Sequence, residues 1–166
     1  MKSLENGIII REAVEEDVPG IRKAIRSSIE GLAAKDYPKE VLDSWGTDTD
    51  KTREKQKALI RDGKELTWIA LKDGIIVGFS AFSPQTEELR AVYIASEVAR
   101  RGVGTALLEQ VEARARSLGL SKLTMHSSLT AFSFYQKHGY ANLGEETHTL
   151  STGVAMRAVS MSKTLS

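Results

Sequence analysis

The sequence predicts an α/β fold, on three observations. Strand-like apolar runs alternate with helix-period segments along the chain, an Asp-Gly pair separates two apolar runs, and one strand-like run enters a helix through Gly-x-Gly. Nothing repeats, no stretch is low in complexity, and no Pro/Gly/Ser-rich segment is long enough for a linker, so residues 1–166 read as one domain.

Residues 7–11, GIIIR, are β-branched and suit a first strand. Glu15, Glu16 and Asp17 follow, and their charge favours a helix N-terminus in which Pro19 is tolerated. Ile21, Ile25, Ser28, Ile29 and Leu32 then recur at helical spacing and predict an amphipathic helix to about Leu32. Pro38 opens a short helix with Val41, Leu42 and Trp45 as its apolar side, stopped by Gly46. A polar helix runs from about Asp50 to Arg61, ahead of Asp62-Gly63. Residues 66–72 and 75–82 flank Asp73-Gly74 and predict a hairpin, and residues 87–94, EELRAVYI, resume as a strand. A helix over 103–118 ends at Gly119. A strand over 121–126, a short helix over 130–138 and strands over 140–149 and 153–162 complete the order β-α-α-α-β-β-β-α-β-α-β-β.

A chain of 166 residues, 41% hydrophobic and 27% charged, can bury a sizeable core without disulfide or metal support. Cysteine is absent, which excludes thiolate nucleophiles, Cys-based zinc sites and disulfide frameworks. The formal charge of +1 gives no global basic field for nucleic acid or an anionic membrane. The apolar stretch in MKSLENGIIIREA is far shorter than a signal peptide core or a membrane span, so a cytoplasmic location is expected. His126, His138 and His148 lack any paired metal-ligand spacing, and no catalytic metal is expected.

Residues 98–108, VARRGVGTALL, carry the strongest local signal. A strand running through Gly102-Val103-Gly104 into a helix leaves the amides of the first turn unpaired, and the missing side chains admit an anion. Arg100 and Arg101 add guanidinium groups at the same rim. A Walker loop would need Lys-Ser/Thr where Thr105-Ala106 stands, and the Rossmann fingerprint would need a third glycine where Leu107 stands. Gly-x-Gly alone is equally compatible with a tight loop carrying solvated arginines.

Residues 88–108, ELRAVYIASEVARRGVGTALL, resemble the acetyl-coenzyme A signature of the GNAT N-acetyltransferase superfamily, and residues 128–140, SLTAFSFYQKHGY, resemble its second block. The signature usually reads Gln/Arg-x-x-Gly-x-Gly/Ala; Ala99 departs from it in the first position, and Thr130 replaces a frequent Asn in the second block. The resemblance implies an acyl-CoA N-acyltransferase-like fold with a mixed, mostly antiparallel sheet flanked by helices. It implies acetyl-CoA as acyl donor, with Val92, Tyr93 and Ile94 offering backbone groups to the pantetheine arm. Arg100, Arg101, Gly102, Val103, Gly104 and Thr105 would hold the pyrophosphate, Thr130 would keep a polar contact, and Phe134 would lie along the cofactor arm.

Direct transfer from a thioester to an amine needs a neutral nucleophile, a polarised carbonyl and a proton for the departing thiolate. Tyr135 occupies the family's usual general-acid position; without the resemblance it reads as a packed tyrosine. Glu88, fourteen residues before Gly102, resembles the general-base glutamate of the histone-acetylating branch, and His126 is the alternative, with imidazole titrating near neutrality. Tyr37, Trp45, His126 and His148 are the candidates for the acceptor mouth, where Asp36, Glu40 and Asp43 could attract a cationic amine. The expected partner is a small-molecule or peptide amine, and the final strands, with VAMRAVSM partly alternating, could pair in a homodimer. A catalytically silent acyl-CoA-binding sensor or regulatory module would share these features.

Overall fold

A computed structural model describes residues 1–166. Eight strands form one sheet in the order β1-β2-β3-β4-β5-β6-β8-β7, where β1 is Lys2–Ser3, β2 Ile8–Glu12, β3 Leu66–Lys72, β4 Ile75–Ser83, β5 Glu88–Ile94, β6 Lys122–Ser128, β7 Ala141–Thr149 and β8 Ala155–Thr164. Every neighbouring pair is antiparallel except β5 with β6. The helices are α1 (Val18–Leu32), α2 (Lys39–Ser44), α3 (Asp50–Arg61), α4 (Val103–Ser117) and α5 (Phe132–Lys137).

Strand alternation sends side chains to two cores. Trp68 and Ala70 of β3 join Leu107, Leu108 and Val111 of α4 on one face. Ile69 between them joins Ile21, Ile25 and Ile29 of α1 on the other. The three isoleucines at helical spacing are the stripe that makes α1 amphipathic, and all are buried. A smaller cluster of Ala33, Tyr37, Val41 and Met156 ties the α1–α2 connector to the start of β8.

Local chemistry explains the junctions. Asp73 and Gly74 both take positive φ, +50° and +77°, as a two-residue hairpin turn requires. Before α1, Glu15–Asp17 form a 3-10 turn rather than the first turn of the helix, and Asp17 accepts from the Val14 amide at 2.8 Å. Pro38 precedes α2 as its cap instead of occupying its first turn. The short strand β1 was not expected from sequence; of the last two strands, β7 starts one residue later than the pattern suggests and ends where expected, and β8 starts and finishes two residues later.

Two departures from regular pairing create the cleft. In β5, Ala91 pairs with Ala81 and Leu89 with Phe82, so Arg90 is an extra residue and the strand bulges there. β5 and β6 then meet at a single parallel pair, Glu88 with Thr124, and diverge beyond it.

Candidate active site

A cleft of about 840 Å³ occupies the gap between the diverging strands. One wall is β5. The Ala95 amide donates to the Val77 carbonyl at 2.8 Å, on the β4 side, so by strand alternation Tyr93 also faces β4 while the backbone groups of Val92 and Ile94 face the cleft. With no neighbour strand there, this edge can hydrogen-bond an extended amide-bearing ligand.

The floor of the cleft ends at the entrance to α4. Its first intrahelical bond runs from the Ala106 amide to the Gly102 carbonyl at 3.1 Å, and no side chain caps the end. The amides of Val103, Gly104 and Thr105 therefore point out of the helix, toward its positive pole. Gly102 has φ +80° and Arg100 φ +63°, so the loop turns through the left-handed region twice before the helix begins. A Cβ on Gly104 would stand 3.2 Å from the Phe134 ring, whereas one on Gly102 would meet nothing. His138 closes this end: its Nδ1–H donates to the Phe134 carbonyl at 2.7 Å, which leaves Nε2 to accept from the Thr105 hydroxyl at 3.1 Å.

Tyr135 lines the cleft from α5. Its ring is buried against Phe134 and Tyr140, at centroid distances of 5.2 and 5.7 Å, and its hydroxyl has no hydrogen-bond partner in the protein. Burial pushes the phenol well above its ordinary value, so it stays protonated at neutral pH. Tyr140 is fixed in turn, its hydroxyl donating to buried Glu112 at 3.1 Å while Lys163 holds both oxygens of that carboxylate at 3.0 Å.

On the opposite side, His126 of β6 faces the cleft. Its Nδ1 bonds the Glu146 carboxylate, which as an acceptor fixes the proton on Nδ1 and leaves the Nε2 lone pair free. Glu88 Oε1 stands 4.0 Å from Nε2, where it would stabilise an imidazolium, while its Oε2 accepts from Arg90 at 3.0 Å. The His148 ring stacks 6.4 Å from His126. Trp45 donates its Nε1–H to the Tyr93 hydroxyl at 2.9 Å, and burial pushes that phenol up to about 12.

Residues 33–165 match the family model of the acetyltransferase (GNAT) domain. The chain belongs to the GNAT acetyltransferase family. A GCN5-related N-acetyltransferase from Rhodopseudomonas palustris is 28% identical and superposes with a TM-score of 0.83 over 99% of each chain. An N-acetyltransferase from Thermoplasma acidophilum, PaiA, in complex with coenzyme A, shares the fold with a TM-score of 0.75 at 22% identity, over 95% of this chain and 99% of that one. The amino-acid acetyltransferase of Pseudomonas putida is 28% identical over 148 residues, which are 87% of this chain but 30% of that protein. The chain thus spans under a third of the length of that curated relative.

Most of the residues expected at a GNAT site do converge on one cleft: Val92, Tyr93, Ile94, Arg100, Gly102, Gly104, Thr105, Thr130, Phe134, Tyr135, Trp45, His126 and His148 all line it. Four do not. Val103 is buried and can offer only its amide, and the Arg101 side chain lies beside Lys72 and Glu97, outside the cleft. Tyr37 is no part of the mouth: its buried hydroxyl donates to the Arg157 carbonyl at 2.6 Å and accepts from the Leu129 amide at 2.7 Å, stapling three elements together. Glu88 is off the wall, with Oε1 4.0 Å from His126 Nε2. The acids Asp36, Glu40 and Asp43 are also off the wall; Asp36 accepts from Thr130 at 2.8 Å and Asp43 pairs with Lys39. Sequence reasoning missed Glu146, although it shares a face of β7 with His148 two residues on, the one signal that could have found it. No helix is long and apolar enough to cross a membrane.

Proposed function

We propose that the protein transfers an acetyl group from acetyl-CoA to the primary amine of an acceptor by direct attack. The observation that carries this reading is a buried, protonated Tyr135 with an unpartnered hydroxyl, on a cleft that has a free strand edge along one wall and a bare helix N-terminus at one end. The residues fit the coenzyme: Val92 and Ile94 would bond its pantetheine amides, the amides of Val103, Gly104 and Thr105 with Arg100 would take its diphosphate, and Phe134 would lie along its arm. When bound, it supplies an activated thioester carbonyl.

The chain's own groups then meet the three requirements of the reaction. A free β5 amide at the cleft polarises the carbonyl. An amine with a pKa of about 10.4 is neutral in about one molecule in 2,500 at pH 7. His126 Nε2 takes the proton from the ammonium form, and Glu88 and Glu146 stabilise the resulting imidazolium. Tyr135 gives its hydroxyl proton to the leaving sulfur and recovers one from the attacking nitrogen, so the products are an amide, a free thiol and one released proton.

Thiol release from acetyl-CoA with an amine panel tests the reading. Tyr135→Phe is expected to lower kcat by about a hundredfold or more with little change in coenzyme affinity. His126→Gln should lower it less above pH 9, where free amine accumulates, than at pH 7. Unchanged turnover in Tyr135→Phe would reject the acid.

A further inference from the structure

The charges on the cleft wall are of one sign. The chain has 22 acidic residues, yet none of the side chains lining the cleft is Asp or Glu, while Lys35, Arg90, Arg100 and Lys137 all line it. Arg100 beside the α4 entrance and Lys137 beside His138 lie at the end suited to the coenzyme's phosphates. Arg90 is already engaged, 3.3 Å from Glu65 and 3.0 Å from Glu88. Lys35 has no ion pair and no phosphate-binding element beside it. Its backbone is held by its neighbours, Asp36 bonded to Thr130 and Tyr37 to Leu129 and Arg157, next to a wall built from Trp45, Leu150 and Met156.

The other pole of the acceptor side is different. His126 has a carboxylate at each ring nitrogen, Glu146 on Nδ1 and Glu88 4.0 Å from Nε2, a setting that favours a cationic group beside the ring. None of the other nearby acids lines the cleft: Asp43 pairs with Lys39, Glu145 pairs with Arg157, Asp36 accepts from Thr130, and Glu40 is exposed. The acceptor side therefore offers one place for an ammonium group, one unpaired cation, and apolar walls. A polycation would meet like charge at Lys35, at a cost that rises as water is excluded.

From this charge layout, and resting on the acetyl-transfer reading above, we infer that the acceptor is a small amine that also carries an anionic group, carboxylate or phosphate, received by Lys35 while its amine meets His126. The test compares matched pairs by calorimetric titration into the protein with and without saturating coenzyme A: phenylalanine against phenethylamine, leucine against isopentylamine, phosphoethanolamine against ethanolamine, and spermidine as the polycation. At least one anionic member should bind about tenfold or more tighter than its partner, and the winning pair distinguishes carboxylate from phosphate. Lys35→Gln, at an exposed position, should erase that ratio while leaving acetyl-CoA affinity within about twofold. The inference is overturned if no anionic amine binds, if phenethylamine, isopentylamine or spermidine binds as tightly as the anionic probes, or if Lys35→Gln weakens acetyl-CoA instead. Absence of thiol release with every amine would sink the catalytic reading alone, since the binding ratio is read without turnover.

Discussion

Gly102 and Gly104 stand at the mouth of α4 for different physical reasons. Gly102 needs its positive φ, and a side chain there would point into open space. Gly104 needs the missing Cβ, because Phe134 lies against it. Gly102→Ala should therefore cost about 1 kcal/mol of folding stability through left-handed strain, read by chemical denaturation, with modest loss of acetyl-CoA affinity. Gly104→Val should do the reverse. It pushes the Phe134 ring into the cleft and should weaken acetyl-CoA at least about tenfold, read by calorimetry, with a smaller change in stability. Both glycines are plain in the sequence, but their separate jobs are not, since one depends on a contact with a residue thirty positions away. The same holds for Tyr37. The sequence offers it as a candidate for the acceptor mouth, while the folded chain uses its hydroxyl as a staple between the α1–α2 connector, β8 and the β6–α5 loop.

At the scale of elements, legibility followed locality. The hairpin turn at Asp73-Gly74, the apolar stripe of α1 and the stop at Gly119, which has φ +78°, rest on neighbours in sequence and could be read there. The bulge at Arg90 and the parting of β5 from β6 arise from pairing between distant segments, and these two features open the site. The junction of β2 with α1 shows how an element boundary can carry charge. Burial alone would raise the Asp17 carboxyl, but Arg11, bonding both oxygens at 2.8 and 2.9 Å, and the Val14 amide hold it below its ordinary value. A carboxyl with a lowered folded-state pKa stabilises the fold above its unfolded pKa of about 3.9, and that contribution disappears as pH falls through the folded value. Asp17→Asn should thus be about 2 kcal/mol less stable at pH 7, with the deficit shrinking in denaturant titrations below about pH 4. A deficit that is constant with pH would contradict the ion-pair account.

For the whole molecule, one sheet places two kinds of chemistry at a shared gap. The half built on β1 to β5 provides the open backbone edge, and the half built on β6, β8 and β7 provides His126, Glu146 and His148. α4 and α5 close the end with the unpaired amides and Tyr135, and the buried Glu112 and Tyr140 with the half-buried Lys163 lock those helices to β8. The most direct measurement is a calorimetric titration of the unmodified protein with acetyl-CoA. The account predicts saturable association with one molecule per chain and a Kd on the order of 1–100 µM. Absence of heat up to millimolar acetyl-CoA, across at least two temperatures so that a vanishing enthalpy is ruled out, would contradict it.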